Sequence, residues 1–213
     1  MTDLTRRAAL AATVVVMLAA LAAPAAASPA PRETLQALAD EALTVLTDRS
    51  LSEVERQRAF RNVLHRGFDI DAVSRFVLGR YWRRASEAER HDFRVLFEDY
   101  VVATYAIHLG NYGSDMFHIV GERRDEASGD AVVRSEIRPP AGPALTVDWR
   151  MRESGGQWRI TDIMVEGVSL AVAQRAEFAS VIRSAGGVSG LLDRLAAKTQ
   201  HLNDRRYVVN RRD

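Results

Sequence analysis

Val147-Asp148-Trp149-Arg150-Met151-Arg152, then Ser154-Gly155-Gly156, then Trp158-Arg159-Ile160-Thr161-Asp162-Ile163-Met164-Val165 is the stretch that decides the fold. Large apolar residues alternate with charged ones, the two-residue period of a strand with one buried face. The paired glycines between the two runs predict a hairpin. Setting Arg152 opposite Gln157 places Met151 against Trp158, Trp149 against Ile160 and Leu145 against Met164. That register gathers the large apolar side chains on one face, with Asp162 among them opposite Val147. Asp148, Arg150, Arg159 and Thr161 fall on the other face, where opposite charges pair across strands. Ile163-Met164-Val165 is apolar on both faces, so something covers both. Upstream, Phe117–Val120 and Ala131–Ile137 also read as strands, which makes an antiparallel meander of about four strands.

Working outward, helical periodicity flanks the meander on both sides. Pro31 opens a helix whose stripe is Leu35, Leu38, Ala39, Ala42, Leu43 and Leu46. Ser52 with Glu55 forms a capping box for a second helix, which buries Phe60, Val63 and Leu64. Asp69 caps a third, through Val73, Phe76 and Val77 to Gly79. Ser86 with Glu89 caps a long helix from about Glu87 to Leu109. Its apolar surface is broad: Phe93, Leu96, Phe97, Tyr100, Val101 and Thr104 on one face, and Val95, Val102, Tyr105, Leu109 and Tyr112 spread over a neighbouring one. Such a helix needs cover on two sides, either as a central core helix or as a wall between core and cavity. Beyond the meander, Ser169 caps a helix with Phe178, Val181 and Ile182 that ends at Gly186-Gly187. A short helix with Leu191, Leu192 and Leu195 follows. Helices, a meander, then helices is an α+β domain.

The chain of 213 residues is long enough for one domain with a sizeable core, and its 47% hydrophobic and 27% charged residues are those of a globular protein. With no cysteine there is no disulfide framework, thiolate metal site or cysteine nucleophile. Residues 1–27 read as a secretory signal peptide: Arg6-Arg7, an apolar run from Ala8 to Ala23, and a small-residue site before Ser28. An uncleaved anchor is the competing reading of this run. Thr5-Arg6-Arg7 resembles a twin-arginine signal with Ala9 out of pattern, so the export route stays open. The segment takes two arginines and one aspartate from 29 basic and 28 acidic residues, leaving a neutral mature protein of 27 of each. The domain expected is 28–202, with 203–213 a disordered tail.

Several segments in order resemble the MlaC family, also called toluene-tolerance auxiliary proteins. Leu78-Gly79-Arg80-Tyr81-Trp82-Arg83 is similar to the family's LGRYWR signature, and Thr104-Tyr105-Ala106 to its TYA. Val147–Arg152 with Trp158-Arg159-Ile160 and Val165-Glu166-Gly167-Val168-Ser169-Leu170 is the strongest segment, with Trp149 where the family commonly has tyrosine. Phe178–Arg183 resembles its FxSIIR helix. Together these cover about residues 65–200. The resemblance implies a cystatin-like (nuclear transport factor 2-like) sheet packed with helices and enclosing an apolar lipid pocket. It implies a periplasmic carrier shuttling phospholipid between outer and inner membranes, maintaining outer-membrane lipid asymmetry. The implied partners are phospholipid as cargo, an inner-membrane ABC lipid transporter complex and an outer-membrane lipoprotein complex, with no nucleic acid. One branch of the family is associated with hopanoid synthesis, which remains an alternative, as does a non-lipid envelope adaptor with a filled core.

A diacyl lipid brings roughly 30 methylene groups, each worth about 0.8 kcal/mol when removed from water, so its pocket must be large and lined without being filled. The candidates are Leu145, Val147, Trp149, Met151, Trp158, Ile160 and Met164 on the sheet, with Phe97, Val101 and Tyr105 on the long helix. For each, plain core packing is the competing role. Arg80, Arg83 or Arg150 could grip a phosphate, or the head group could point into water.

Catalysis has one foothold. Gly167-Val168-Ser169-Leu170-Ala171 approximates a G-x-S-x-G elbow, but the only downstream histidine is His201, with Asp193 eight residues before it, and Ser169 as a helix N-cap explains the same residue. Asp162, if buried in a small cavity, would be an alternative acid. The five histidines (65, 91, 108, 118 and 201) have no metal-ligand spacing, and the adjacent Glu98-Asp99 do not face each other. The reading is of no enzyme, no metal and no cofactor.

Overall fold

A computed structural model describes residues 29–109, 116–139 and 142–209. The capping residues picked out of the sequence hold helix N-termini. Helix α1 (Pro31–Thr47) starts on its proline, with the Glu33 carboxylate accepting the Ala30 N–H at 3.2 Å. Helix α2 (Glu53–Gly67) has its reciprocal box, the Ser52 N–H donating to Glu55 at 2.8 Å and the Glu55 N–H to Ser52 Oγ at 3.3 Å. Asp69 accepts from Ala72 N–H to open α3 (Ile70–Leu78), which runs into a 3₁₀ turn at Gly79–Tyr81. Ser86 and Glu89 repeat the box for α4 (Glu87–Leu109).

The strands β1 (Phe117–Arg124), β2 (Ala131–Ile137), β3 (Leu145–Ser154), β4 (Gln157–Val165) and a two-residue β5 (Val168–Ser169) form one antiparallel sheet in sequence order. The hairpin register differs from the expected one. Gly155 and Gly156, with φ of +59° and +75°, close a two-residue turn, so Ser154 pairs with Gln157 and Met151 with Ile160. Between Arg150/Met151 and Ile160/Asp162 the register slips by one residue at Thr161. Beyond that bulge Arg150 faces Asp162, Trp149 faces Ile163 and Val147 faces Val165. A one-residue bulge exchanges the faces of everything after it. Ile163 and Val165 therefore join Val147 and Trp149, and Met164 turns away from them to pair with Asp148 and Ser169.

Helices α5 (Leu170–Ser184) and α6 (Val188–Val209) complete the chain. Helix α6 has 22 residues, where the sequence predicts a short helix. The reason is packing: Leu202 sits against the helical core and Asn203 is half-buried. The last four residues and the segment read as a signal peptide lie outside the described residues.

The core divides in three. Helices α3 to α6 interlock around Phe93, Phe97 and Phe178, whose ring centroids are 5.6–5.9 Å apart. Leu35 of α1 packs with Ala131, Val133, Met151, Trp158 and Ile160 on the inner face of the sheet. Leu46, Phe60, Leu64 and Val102 join α1, α2 and α4. Helix α4 thus has its two covered sides, although Val95 is 47% exposed and drops out of the expected stripe. Arg61 ties α2 to α4 by reaching both adjacent acids, Glu98 at 2.7 Å and Asp99 at 2.6 Å.

Candidate functional site: an apolar cavity beneath the sheet

Between these three clusters the molecule is hollow. Helices α1, α2, α3, α4 and α5 and the inner face of β2, β3 and β4 enclose a cavity of ≈ 280 Å³ within which the centre of a water molecule can move; with its open mouth the unfilled space reaches ≈ 1420 Å³. One probe-sized water needs only about 10–15 Å³ on the first measure, so this is no packing defect. The wall is almost wholly apolar, and each layer contributes: Leu38 and Ala42 from α1, Val63 from α2, Val73 from α3, Ile163 and Val165 from β4.

Of the ten candidates, Phe97, Val101, Tyr105, Val147, Trp149 and Ile160 line the cavity. The other four do not. Met151 and Trp158 are spent on the solid layer between α1 and the sheet. Leu145 pairs with the lining residue Ile137 at the sheet's end but is not itself part of the wall. Met164 is carried away by the bulge, for which the one visible sign is Thr161-Asp162, two polar residues in succession where the alternation allows one. The α1, α2 and α3 side chains of the wall were missed as site residues, because a helix stripe facing a void has the same period as one facing a core.

Tyr105, at 37% exposure, is the most open lining residue. Burial pushes its phenol pKa above the usual value, and Tyr100 adds to the shift. The polar atoms of the wall are mostly committed. Trp149 Nε1 donates to the buried Ser135 hydroxyl at 2.9 Å. Asp162 is not a free acid: it accepts from Ser169 Oγ at 2.7 Å, from its neighbour Ile163 N–H at 2.9 Å and from Ala171 N–H at 3.2 Å. Ser169 in turn accepts the Val172 N–H at 3.0 Å, so the serine of the elbow-like segment and this aspartate together anchor the start of α5.

No candidate arginine lines the cavity. Arg80 lies 5.0 Å over the Tyr81 ring and donates to its hydroxyl at 3.0 Å. Arg83 is exposed, and Arg150 lies on the outer face of the sheet between inward-facing Trp149 and Met151. Among the described residues no three histidine or acidic side chains are grouped to hold a metal ion, and no helix is long and apolar enough to cross a membrane.

Comparison with known proteins agrees with this architecture. The chain is 24% identical over 153 residues to the intermembrane phospholipid transport system binding protein MlaC of Haemophilus influenzae, covering 70% of this chain and 69% of that one. It is 22% identical over 176 residues to the toluene tolerance protein ttg2D of Pseudomonas putida, covering 80% and 81%. The structure of a phospholipid-binding protein from Ralstonia solanacearum, solved with a phospholipid, superposes with a TM-score of 0.70 at 23% identity, covering 82% of this chain and 99% of that one, and so shares the fold. The sequence profile of the MlaC protein family matches residues 36–197, and the chain belongs to that family.

Proposed function

We propose that this protein is a periplasmic phospholipid carrier that holds acyl chains in the cavity beneath its sheet and catalyses no reaction. The observation that carries the reading is the cavity itself: a wide space whose wall is almost wholly apolar. Water gains little in such a space, while each methylene moved into it from water gains about 0.8 kcal/mol. Over roughly 30 methylenes the gross gain is of order 20 kcal/mol, but a bilayer offers nearly the same, so the net preference between membrane and protein is small. That balance lets a carrier load and unload. Residues 1–27 serve as a cleaved export signal, and the lipid is cargo rather than cofactor. The carrier exchanges it with an inner-membrane ABC transporter complex and an outer-membrane lipoprotein complex, maintaining outer-membrane lipid asymmetry.

Mass spectrometry of organic extracts from protein purified from periplasm without detergent tests this. Near-stoichiometric phospholipid is expected, and hopanoid in its place would assign the chain to that branch of the family. Protein that is lipid-free and takes no lipid from vesicles would turn the reading to an envelope adaptor.

A further inference from the structure

The face of the sheet turned away from the cavity carries a different chemistry. There Arg123 of β1, Val132 of β2 and Arg150 of β3 stand in one row across three strands. Arg134 and Asp148 occupy the next row, and Arg152 of β3 stands directly opposite Arg159 of β4. Five arginines thus share one face of a chain whose formal net charge is only +1, so positive charge is gathered locally.

The acids nearby do not balance them. Arg134 holds Asp148 and Arg152 holds Asp130, each through two bonds of 2.7–2.9 Å. Asp162 is saturated by the α5 terminus. Asp125, in the β1–β2 turn, accepts the N–H groups of Ala127 and Ser128. Among the described residues Arg123, Arg150 and Arg159 make no ion pair, and Arg159 Nε is buried without a hydrogen-bond partner. Like charges opposed across strands, as at Arg152 and Arg159, weaken a sheet, so the fold itself gains little from this grouping.

The arginines are also held in place. Helix α1, which packs on β2, meets it through Ala131 and Val133 on the inner face. Val132 faces the other way and is still only 3% exposed. Its cross-strand neighbours Arg123 and Arg150 cover it with their aliphatic stems, which fixes their charged ends close above the sheet.

We propose that the outer face of the sheet is a docking surface for an acidic patch on a partner protein, with Arg123, Arg150 and Arg159 supplying the uncommitted charges. Guanidinium groups take carboxylates through two parallel bonds, and opposite fields steer two proteins together and set their orientation. A bilayer is the wrong occupant. The sheet itself stands between this face and the cavity, so a membrane pressed against it would lie on the far side from the cavity wall. Val132, the apolar residue between Arg123 and Arg150, is too deeply covered to enter lipid. A protein held on this face leaves the cavity side free, whatever the cavity carries.

The test titrates short poly-L-glutamate, at low salt, into the protein purified from periplasm. Wild type is expected to bind, and Arg123→Glu with Arg150→Glu to bind about tenfold more weakly. Arg123→Gln with Arg150→Gln, which keeps stems over Val132, weakens binding by less and decides the matter if the reversal fails to fold. Arg58→Glu with Arg194→Glu, exposed positions on α2 and α6, makes the same change in net charge and should leave binding unaltered. Equal weakening in that control would overturn the proposal, since the effect would then be one of overall charge. Wild type that ignores poly-L-glutamate would overturn it too. Tighter binding of phosphatidylglycerol vesicles through the same arginines would replace the protein partner by a membrane surface. Bound lipid, measured on the same samples, should match wild type in every folded variant, and a lipid-free wild type that still binds poly-L-glutamate would remove the carrier reading and leave this face standing.

Discussion

The two halves of the interior are built from the same kinds of residue and end in opposite states. In the α3–α6 half, Phe93 and Phe97 stack at 5.6 Å while Phe178 meets both edge-on. Beneath the sheet, α4 supplies a similar row of Phe97, Tyr100, Val101 and Tyr105, yet these face a space of ≈ 280 Å³. Phe97 and Tyr100 belong to both. Helix α4 therefore works as a partition whose one side is solid and whose other is hollow. Hydrophobicity does not distinguish the two sides; shape complementarity does. Close packing gains dispersion contacts that a void forgoes, so the hollow half is the less stable one until an apolar ligand fills it.

The largest effect expected is on the solid side. Phe93, with 0% exposure, has no slack around it, and Phe93→Ala should cost about 3–5 kcal/mol, read as a shift in urea midpoint. Val101→Ala, one helix face away, enlarges a space that already exists and should cost only ~1 kcal/mol. Equal losses at the two sites would break the comparison, because they would mean that the void closes in solution.

Val147→Trp sharpens it from the other direction. Val147, the third residue of β3, is buried and points into the hollow, so an indole there occupies space meant for acyl chain. Bound lipid should fall several-fold, while the unfolding free energy of the lipid-free protein changes by less than about 1.5 kcal/mol. The same enlargement in a filled core would destabilise by about 1–3 kcal/mol. A folded variant with unchanged lipid content would place the cargo elsewhere.

How far this was legible in the sequence follows from what each signal encodes. Ser52, Asp69, Ser86 and Ser169 announced helix starts because a cap is a local bond, made within three residues. Strand alternation told inside from outside as far as Ile160. It failed at Met164 because Ile163-Met164-Val165 is apolar throughout, so the sequence there has no phase and only Thr161-Asp162 hints at the slip. The length of the last helix was missed differently: Leu202 is a single apolar residue among polar ones, and its burial depends on where α6 lies against the rest of the core. The cavity was beyond the reach of periodicity for a third reason. A void is set by the distance between elements, and periodicity reports only the direction in which a side chain points.

The outer face of the sheet offers the smallest effect and a separate check on the bulge. Arg134 clasps Asp148 through two bonds, Nε to Oδ1 at 2.7 Å and Nη2 to Oδ2 at 2.8 Å, on the face away from the cavity. The arginine is half-exposed and the aspartate largely covered. The hydrogen bonds from Arg134, aided by its charge and that of Arg123, hold the Asp148 pKa below the usual carboxylate value, against a smaller opposing effect of burial. A group whose pKa is lower in the folded state stabilises the fold above its unfolded pKa of about 3.9, and that contribution fades as pH falls through the folded value. Arg134→Ala should therefore cost up to ~1 kcal/mol at pH 7, and the gap to wild type should close as the pH drops below about 4. Lipid content should not change, since the pair faces away from the wall. A cost that persists undiminished at pH 3 would mean that the arginine acts through packing alone, whereas a fall in bound lipid would mean that strand faces before the bulge are not those described.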